Sequence, residues 1–126
     1  AIQRIGVSSE KSPFALHRSA GALVRAVREN PWTVDGPGRS DTIAAEKLGV
    51  FSKLGAEGVQ VMVAPDGTTV ALKVLDGSGR AASVTALTLL VKAGALPAAK
   101  VARVLTELPL TIVGGGQTVG AIRPTV

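Results

Sequence analysis

The sequence predicts an α/β unit of the α+β kind, an antiparallel sheet flanked by helices, and three observations carry that expectation. Val59, Val61 and Val63 alternate with Gln60, Met62 and Ala64, Pro65-Asp66-Gly67 supplies a hairpin turn, and Val70, Leu72 and Val74 alternate on the way back. From Ala15 to Glu29, apolar residues recur at helical spacing while Arg18, Arg25 and Glu29 share the opposite face. Ala81 to Ala93 is apolar almost all round, the pattern of a buried helix.

Local chemistry supplies the remaining elements. Asn30-Pro31 ends the first helix, because the residue before a proline is pushed out of the helical region. Val34 to Arg39 has the composition of a loop. Ser40 and Asp41 are suitable N-caps for a short helix through Leu48, and Gly49 suits its stop. Val50–Leu54, Glu57–Ala64 and Thr69–Leu75 are expected to be three antiparallel strands, with Gly55-Ala56 allowing the first turn. After Asp76-Gly77-Ser78-Gly79 come the helix Ala81–Ala93, stopped by Gly94, and a helix Ala98–Leu108 that starts at Pro97 and is closed by Pro109. Both are expected on one face of the sheet, burying Val59, Val61, Val63, Leu72, Val74, Val84, Leu87 and Val91. Leu110–Val113 and Gln117–Ile122 read as a short hairpin around Gly114-Gly115-Gly116.

At 126 residues the chain is read as one unit, 1–126, long enough to remove roughly two-thirds of its surface from water. Its rings are only Phe14, Trp32 and Phe51, so the core must rest on close-packed Ala, Val and Leu. The net charge of +5 is spread over scattered Lys and Arg with acids between them, and there are few rings for bases to stack on. No nucleic-acid partner is therefore expected. The absence of cysteine removes disulfides and thiolate chemistry, and His17 alone cannot hold zinc, so neither a cofactor nor a metal is expected. Apolar runs fall short of a membrane span, and Ala1-Ile2-Gln3-Arg4 lacks a signal-peptide core. The expectation is a cytoplasmic protein with no membrane partner.

Three constellations bear on chemistry. Ser8-Ser9-Glu10-Lys11 matches the Ser-x-x-Lys spacing that sets a nucleophile one helical turn from its base. Pro13 follows closely, however, and a surface loop is the better reading. Gly114-Gly115-Gly116 lacks the lysine and helix of a phosphate-binding loop and reads as a turn. Lys53-Leu54-Gly55-Ala56-Glu57 lies at a strand end, preceded by Gly38-Arg39-Ser40-Asp41-Thr42. A lysine there can present its ammonium to a site, glycine lets a substrate approach the backbone, and the N–H groups can act as oxyanion donors.

The blocks Gly38-Arg39-x-Asp41-Thr42, Lys53-x-Gly55-Ala56-Glu57-Gly58-Val59-Gln60-Val61 and Ala71-Leu72-Lys73-Val74-x-Asp76-Gly77-x-x-Arg80-Ala81 resemble the C-terminal blocks of the asparaginase II family, the thermolabile, rhizobial-type group. Thr118-Val119-Gly120-x-Ile122-Arg123-Pro124 is similar to that family's terminus. The resemblance runs from about Phe14 to the end of the chain. It implies a fold like the serine β-lactamases and penicillin-binding proteins, and hydrolysis of L-asparagine to aspartate and ammonia through an acyl-enzyme. In that scheme Lys53 matches the later strand lysine and is the expected catalytic residue, holding charge near the nucleophile and helping proton transfer. Arg39, Asp41, Gly55 and Ala56 are the expected substrate-binding residues. Asp76 and Arg80 also match, although a carboxylate opening a helix beside an arginine has a structural explanation.

Family chains are over twice as long, and the nucleophile and its lysine partner belong to their earlier half. The resemblance therefore implies that this chain is the C-terminal part of such an amidohydrolase, inactive alone, whose partner is the missing N-terminal half or, by self-association, another copy. In some members a Gly-Cys-Gly-like turn contributes a cysteine to a metal site; here the segment reads Val7-Ser8-Ser9-Glu10-Lys11, so no metal is implied. The competing reading is a non-catalytic binding or assembly module derived from the same fold.

Overall fold

A computed structural model describes residues 1–126. Six helices, α1 (Ile2–Gly6), α2 (Ala15–Glu29), α3 (Trp32–Asp35), α4 (Ser40–Leu48), α5 (Gly79–Lys92) and α6 (Ala98–Leu105), surround a three-stranded sheet of β1 (Phe51–Gly55), β2 (Val59–Val63) and β3 (Thr69–Lys73). A separate hairpin, β4 (Thr111–Gly114) and β5 (Gln117–Ala121), follows. The sheet is antiparallel in the order β1-β2-β3, which leaves the outer edge of β1 free of any strand. This is the expected α+β architecture. No helix is long and apolar enough to cross a membrane.

Helix α1 has no counterpart among the expected elements and β2 begins at Val59 rather than Glu57, while the other elements fall close to their expected places with local corrections. Trp32–Asp35 is a short helix inside what composition marks as turn and loop. Ser40 and Asp41 do not cap α4: Arg39 holds the N-cap position, with no side-chain cap bond, and Asp41 lies in the first turn. Gly49 does end that helix, in the left-handed conformation. Helix α5 starts earlier than expected, because the Ser78 hydroxyl accepts from the Ala81 N–H at 3.3 Å and nucleates the turn before it. Helix α6 stops at Leu105, ahead of Pro109.

The larger correction concerns which face of the sheet is the core. Val63 pairs with Thr69, Met62 with Val70 and Gln60 with Leu72, so the even-numbered residues of β2 share a face with Val70 and Leu72. That face packs against α5, with Gln60 and Met62 fully buried and Ala64 nearly so. Val59 is 39% exposed, Val61, Leu72, Val74 and Val91 are half-buried, and Val63, Val84 and Leu87 are buried as expected. Both alternating sets of β2 are largely apolar, and the parity of the connection through Pro65-Asp66-Gly67 decides which set meets Val70 and Leu72. Nor do the helices occupy one face only. Val63 is buried against α1, where a Cβ added to Gly6 would come within 3.0 Å of it.

The core joins Ile43 and Leu48 of α4, Met62 of β2, Leu87 and Leu90 of α5, and Val101 and Val104 of α6. Met62→Ala should cost about 2–5 kcal/mol in denaturant unfolding, whereas Val61→Ala on the other face should cost less than about 1 kcal/mol. Equal losses would contradict this assignment of faces.

Candidate active site

Asp41 organises the free edge of β1. Its carboxylate is only 1% exposed and has no cationic partner. Its charge is met by donors: the Ser52 hydroxyl at 2.7 Å, the Gln60 amide at 3.0 Å and the Leu54 backbone N–H. Its place in the first turn of α4 adds the positive end of that helix dipole. Gln60 also donates to the Ser52 hydroxyl at 3.0 Å and accepts from Ser83 at 3.2 Å. A buried polar chain thus ties α4, β1, β2 and α5 together, and no buried side-chain polar atom is left without a partner. In an antiparallel ladder the N–H and C=O of one residue point to the same side. The bond from Leu54 to Asp41 therefore turns that residue's backbone toward the outer edge rather than toward β2.

Lys53 stands on the opposite face of the sheet, directly across from Val61. It is exposed and borders an apolar groove of about 360 Å³ lined by Ile2, Ile5, Leu23, Val27 and Phe51. Its Nζ bends back to donate to the Leu54 carbonyl, which brings the ammonium to the free edge. Lys73 makes the same kind of bond to the Val74 carbonyl at 2.6 Å, but from β3, the far strand of the sheet. Location, not local geometry, separates the two lysines.

Gly55 ends β1 and Ala56 opens a 3-10 turn in which Glu57 adopts the left-handed conformation (φ 57°, ψ 39°). Such a conformation is uncommon for a non-glycine residue. Gly58 is left-handed too, and a Cβ there would stand 2.9 Å from the carbonyl carbon of Gly77. The corner 55–58 is thereby pressed onto the loop that leads into α5, with the Val74 N–H donating to the Gly58 carbonyl at 3.0 Å.

Between these elements lies a cleft of about 270 Å³ lined by Asp35, Gly38, Arg39, Ser40, Leu54, Gly79, Arg80 and Pro109. Of the expected site residues it contains Arg39. Asp41, expected to bind substrate, instead sits buried behind its wall with its oxygens committed to Ser52, Gln60 and Leu54. Lys53 precedes Leu54 in the strand, and Gly55 and Ala56 follow that residue. Asp35, Ser40 and Arg80 are lining residues that the sequence did not single out as site residues. For Arg80 the available signal was its place in the Asp76-Gly77-x-x-Arg80 block.

The other constellations do not form sites. Residues 8–12 make turns rather than a helix, and the Ser8 hydroxyl donates to the Arg4 carbonyl at 2.6 Å, so Ser8 and Lys11 do not take the one-turn spacing. Glu10 is held by Arg25 at 2.8 Å, whose pKa is raised chiefly by that hydrogen bond and then by the one to Glu29. With hydroxyls and a committed carboxylate in place of thiolate, this segment does not fit the metal site of some asparaginase II members. Gly115 and Gly116 form the β4–β5 turn.

No curated protein matches the chain. A family model, L-asparaginase II, matches residues 1–124. With nearly the whole chain covered, the protein belongs to the L-asparaginase II family.

Proposed function

We propose that residues 1–126 form the C-terminal part of an amidohydrolase that converts L-asparagine to L-aspartate and ammonia through an acyl-enzyme, on a fold like that of the serine β-lactamases. In this reading a serine of a Ser-x-x-Lys helix outside these residues attacks the side-chain amide carbon. Its proton passes to a base and on to the departing ammonia, and water then releases aspartate. Lys53 is the catalytic residue contributed here, and in this reading its ammonium stabilises charge developing at the nucleophile. Arg39 contacts the substrate, Gly55 and Ala56 present backbone to it, and Asp41 positions the strand that carries them.

The geometric observation that carries this reading is the free edge of β1, with the Lys53 ammonium beside Leu54 and Leu54 in the wall of a polar cleft. The apolar groove next to Lys53 supports a further segment, or a second copy, packing on that face. The reaction is cytoplasmic in this proposal.

Ammonia release is the test. The 126-residue chain alone should release none from asparagine or glutamine. The enzyme that joins it to a Ser-x-x-Lys helix should release it, with Ser8→Ala making no difference. Release by the chain alone that vanishes in Ser8→Ala would sink the proposal.

A further inference from the structure

Gln60 stands directly across from Leu54 in the β1–β2 ladder. Because the Leu54 N–H is given to Asp41, the backbone groups of this pair face away from each other and its side chains come close. Gln60 is fully buried in the middle strand, a place where composition favours an aliphatic side chain. A carboxylate can only accept hydrogen bonds, so Asp41 decides which end of the Gln60 amide faces it. Nε2 donates to Asp41 Oδ1 and to the Ser52 hydroxyl, each at 3.0 Å. Oε1 then faces α5, where the buried Ser83 hydroxyl shares its proton between that oxygen and the Gly79 carbonyl, each at 3.2 Å.

Beyond Asp41 the chain of bonds continues to the surface. The second carboxylate oxygen accepts the Leu54 N–H, and the carbonyl of the same residue accepts from the Lys53 Nζ. Four hydrogen bonds therefore run in series from Ser83 through Gln60, Asp41 and Leu54 to the Lys53 ammonium. The source of each donor to Asp41 gives Gln60 its importance. Ser52 and Leu54 both belong to β1, the strand whose edge is being held, and only Gln60 donates from another strand. Without it the carboxylate is tied to β1 alone, and the edge can shift against the rest of the sheet together with Asp41. We infer that Gln60 is a positioning residue for the proposed reaction: through Asp41 and Leu54 it sets where the Lys53 ammonium stands, and Ser83 keeps its amide turned toward Asp41. The inference rests on the role proposed for Lys53, because a misplacement of about 1 Å at a reacting group costs about a hundredfold in rate.

Two measurements test it. In the 126-residue chain, Gln60→Met, which keeps length and volume but cannot donate, should speed amide exchange at Leu54 at least about tenfold more than at Met62. Ser83→Ala, a gentler change, should act in the same direction to a smaller extent. In the complete enzyme, Gln60→Met should lower kcat for ammonia release by about 10–100-fold with little change in KM. Combined with Lys53→Ala, it should lower kcat less than about twofold further, since the residue it positions is already gone. Equal quickening at Leu54 and Met62, in both variants, would make Gln60 a stabilising residue only and overturn the inference. Losses from Gln60→Met and Lys53→Ala that multiply would overturn it too. Full activity in Lys53→Ala would instead remove the role proposed for that lysine, and exchange at Leu54 would still decide whether Gln60 holds the edge.

Discussion

Asp41→Ala is expected to destabilise the chain by about 3–5 kcal/mol, a large share of the ~5–15 kcal/mol that holds a domain together. The substitution removes the acceptor for Ser52, Gln60 and the Leu54 N–H at once, in a place where water does not enter. Each buried donor left unpaired costs roughly 1–3 kcal/mol, partly recovered where Ser52 and Gln60 turn to each other. Asp41→Asn preserves the shape but presents an N–H₂ to one of the donors, so about half the loss should remain. The damage should be local as well as global. Leu54 loses the bond that faces its backbone outward, and amide exchange at Leu54 should quicken more than at Met62. Urea unfolding of both variants checks the first statement, and hydrogen exchange the second. A loss below about 1 kcal/mol in Asp41→Ala would mean that the buried polar chain is not what holds the edge.

How much of this was legible in the sequence depends on the kind of signal. The amphipathic stripe of α2 is repeated over several turns, and its bounds, Ala15–Glu29, appear in the structure as read. Pro65-Asp66-Gly67 fixed the hairpin because few other conformations suit those residues. The face of β2 that meets α5 is not the expected one, although Val63 is buried, since Val59, Val61 and Val63 look like a better apolar set than Gln60, Met62 and Ala64. Burying Gln60 is unfavourable by composition and becomes acceptable only when Asp41, Ser52 and Ser83 arrive from other elements to bond it. No local pattern encodes that meeting.

The site divides in the same way. Arg39, Asp41, Lys53, Gly55 and Ala56 stand out as clustered polar and glycine residues around a strand, and resemblance to a family singled them out further. What the sequence could not show is that Asp41 turns inward while Arg39 turns outward, though they lie two residues apart in one helix start. Arg80 comes to the same cleft from a position 41 residues beyond Arg39, carried by the packing of Gly58 on Gly77. Such a contact is invisible until the corner 55–58 and the loop before α5 are both in place.

Lys53 carries the central claim, because it is the one catalytic residue proposed among residues 1–126. An ammonium at the free edge of β1 should stabilise the charge that appears as the nucleophile loses its proton, and groups in that role contribute about 10²–10⁴-fold to turnover. Lys73 is the internal control. It is also a strand lysine, also exposed and also bonded to the next carbonyl, but it lies on the strand farthest from that edge. Both substitutions remove one exposed charge and should leave stability nearly unchanged. The most direct measurement is therefore the kcat for ammonia release from L-asparagine by the complete enzyme carrying Lys53→Ala or Lys73→Ala. The account predicts a loss of at least about a hundredfold for Lys53→Ala and less than about twofold for Lys73→Ala. Full activity in Lys53→Ala, or equal losses in the two variants, would contradict it.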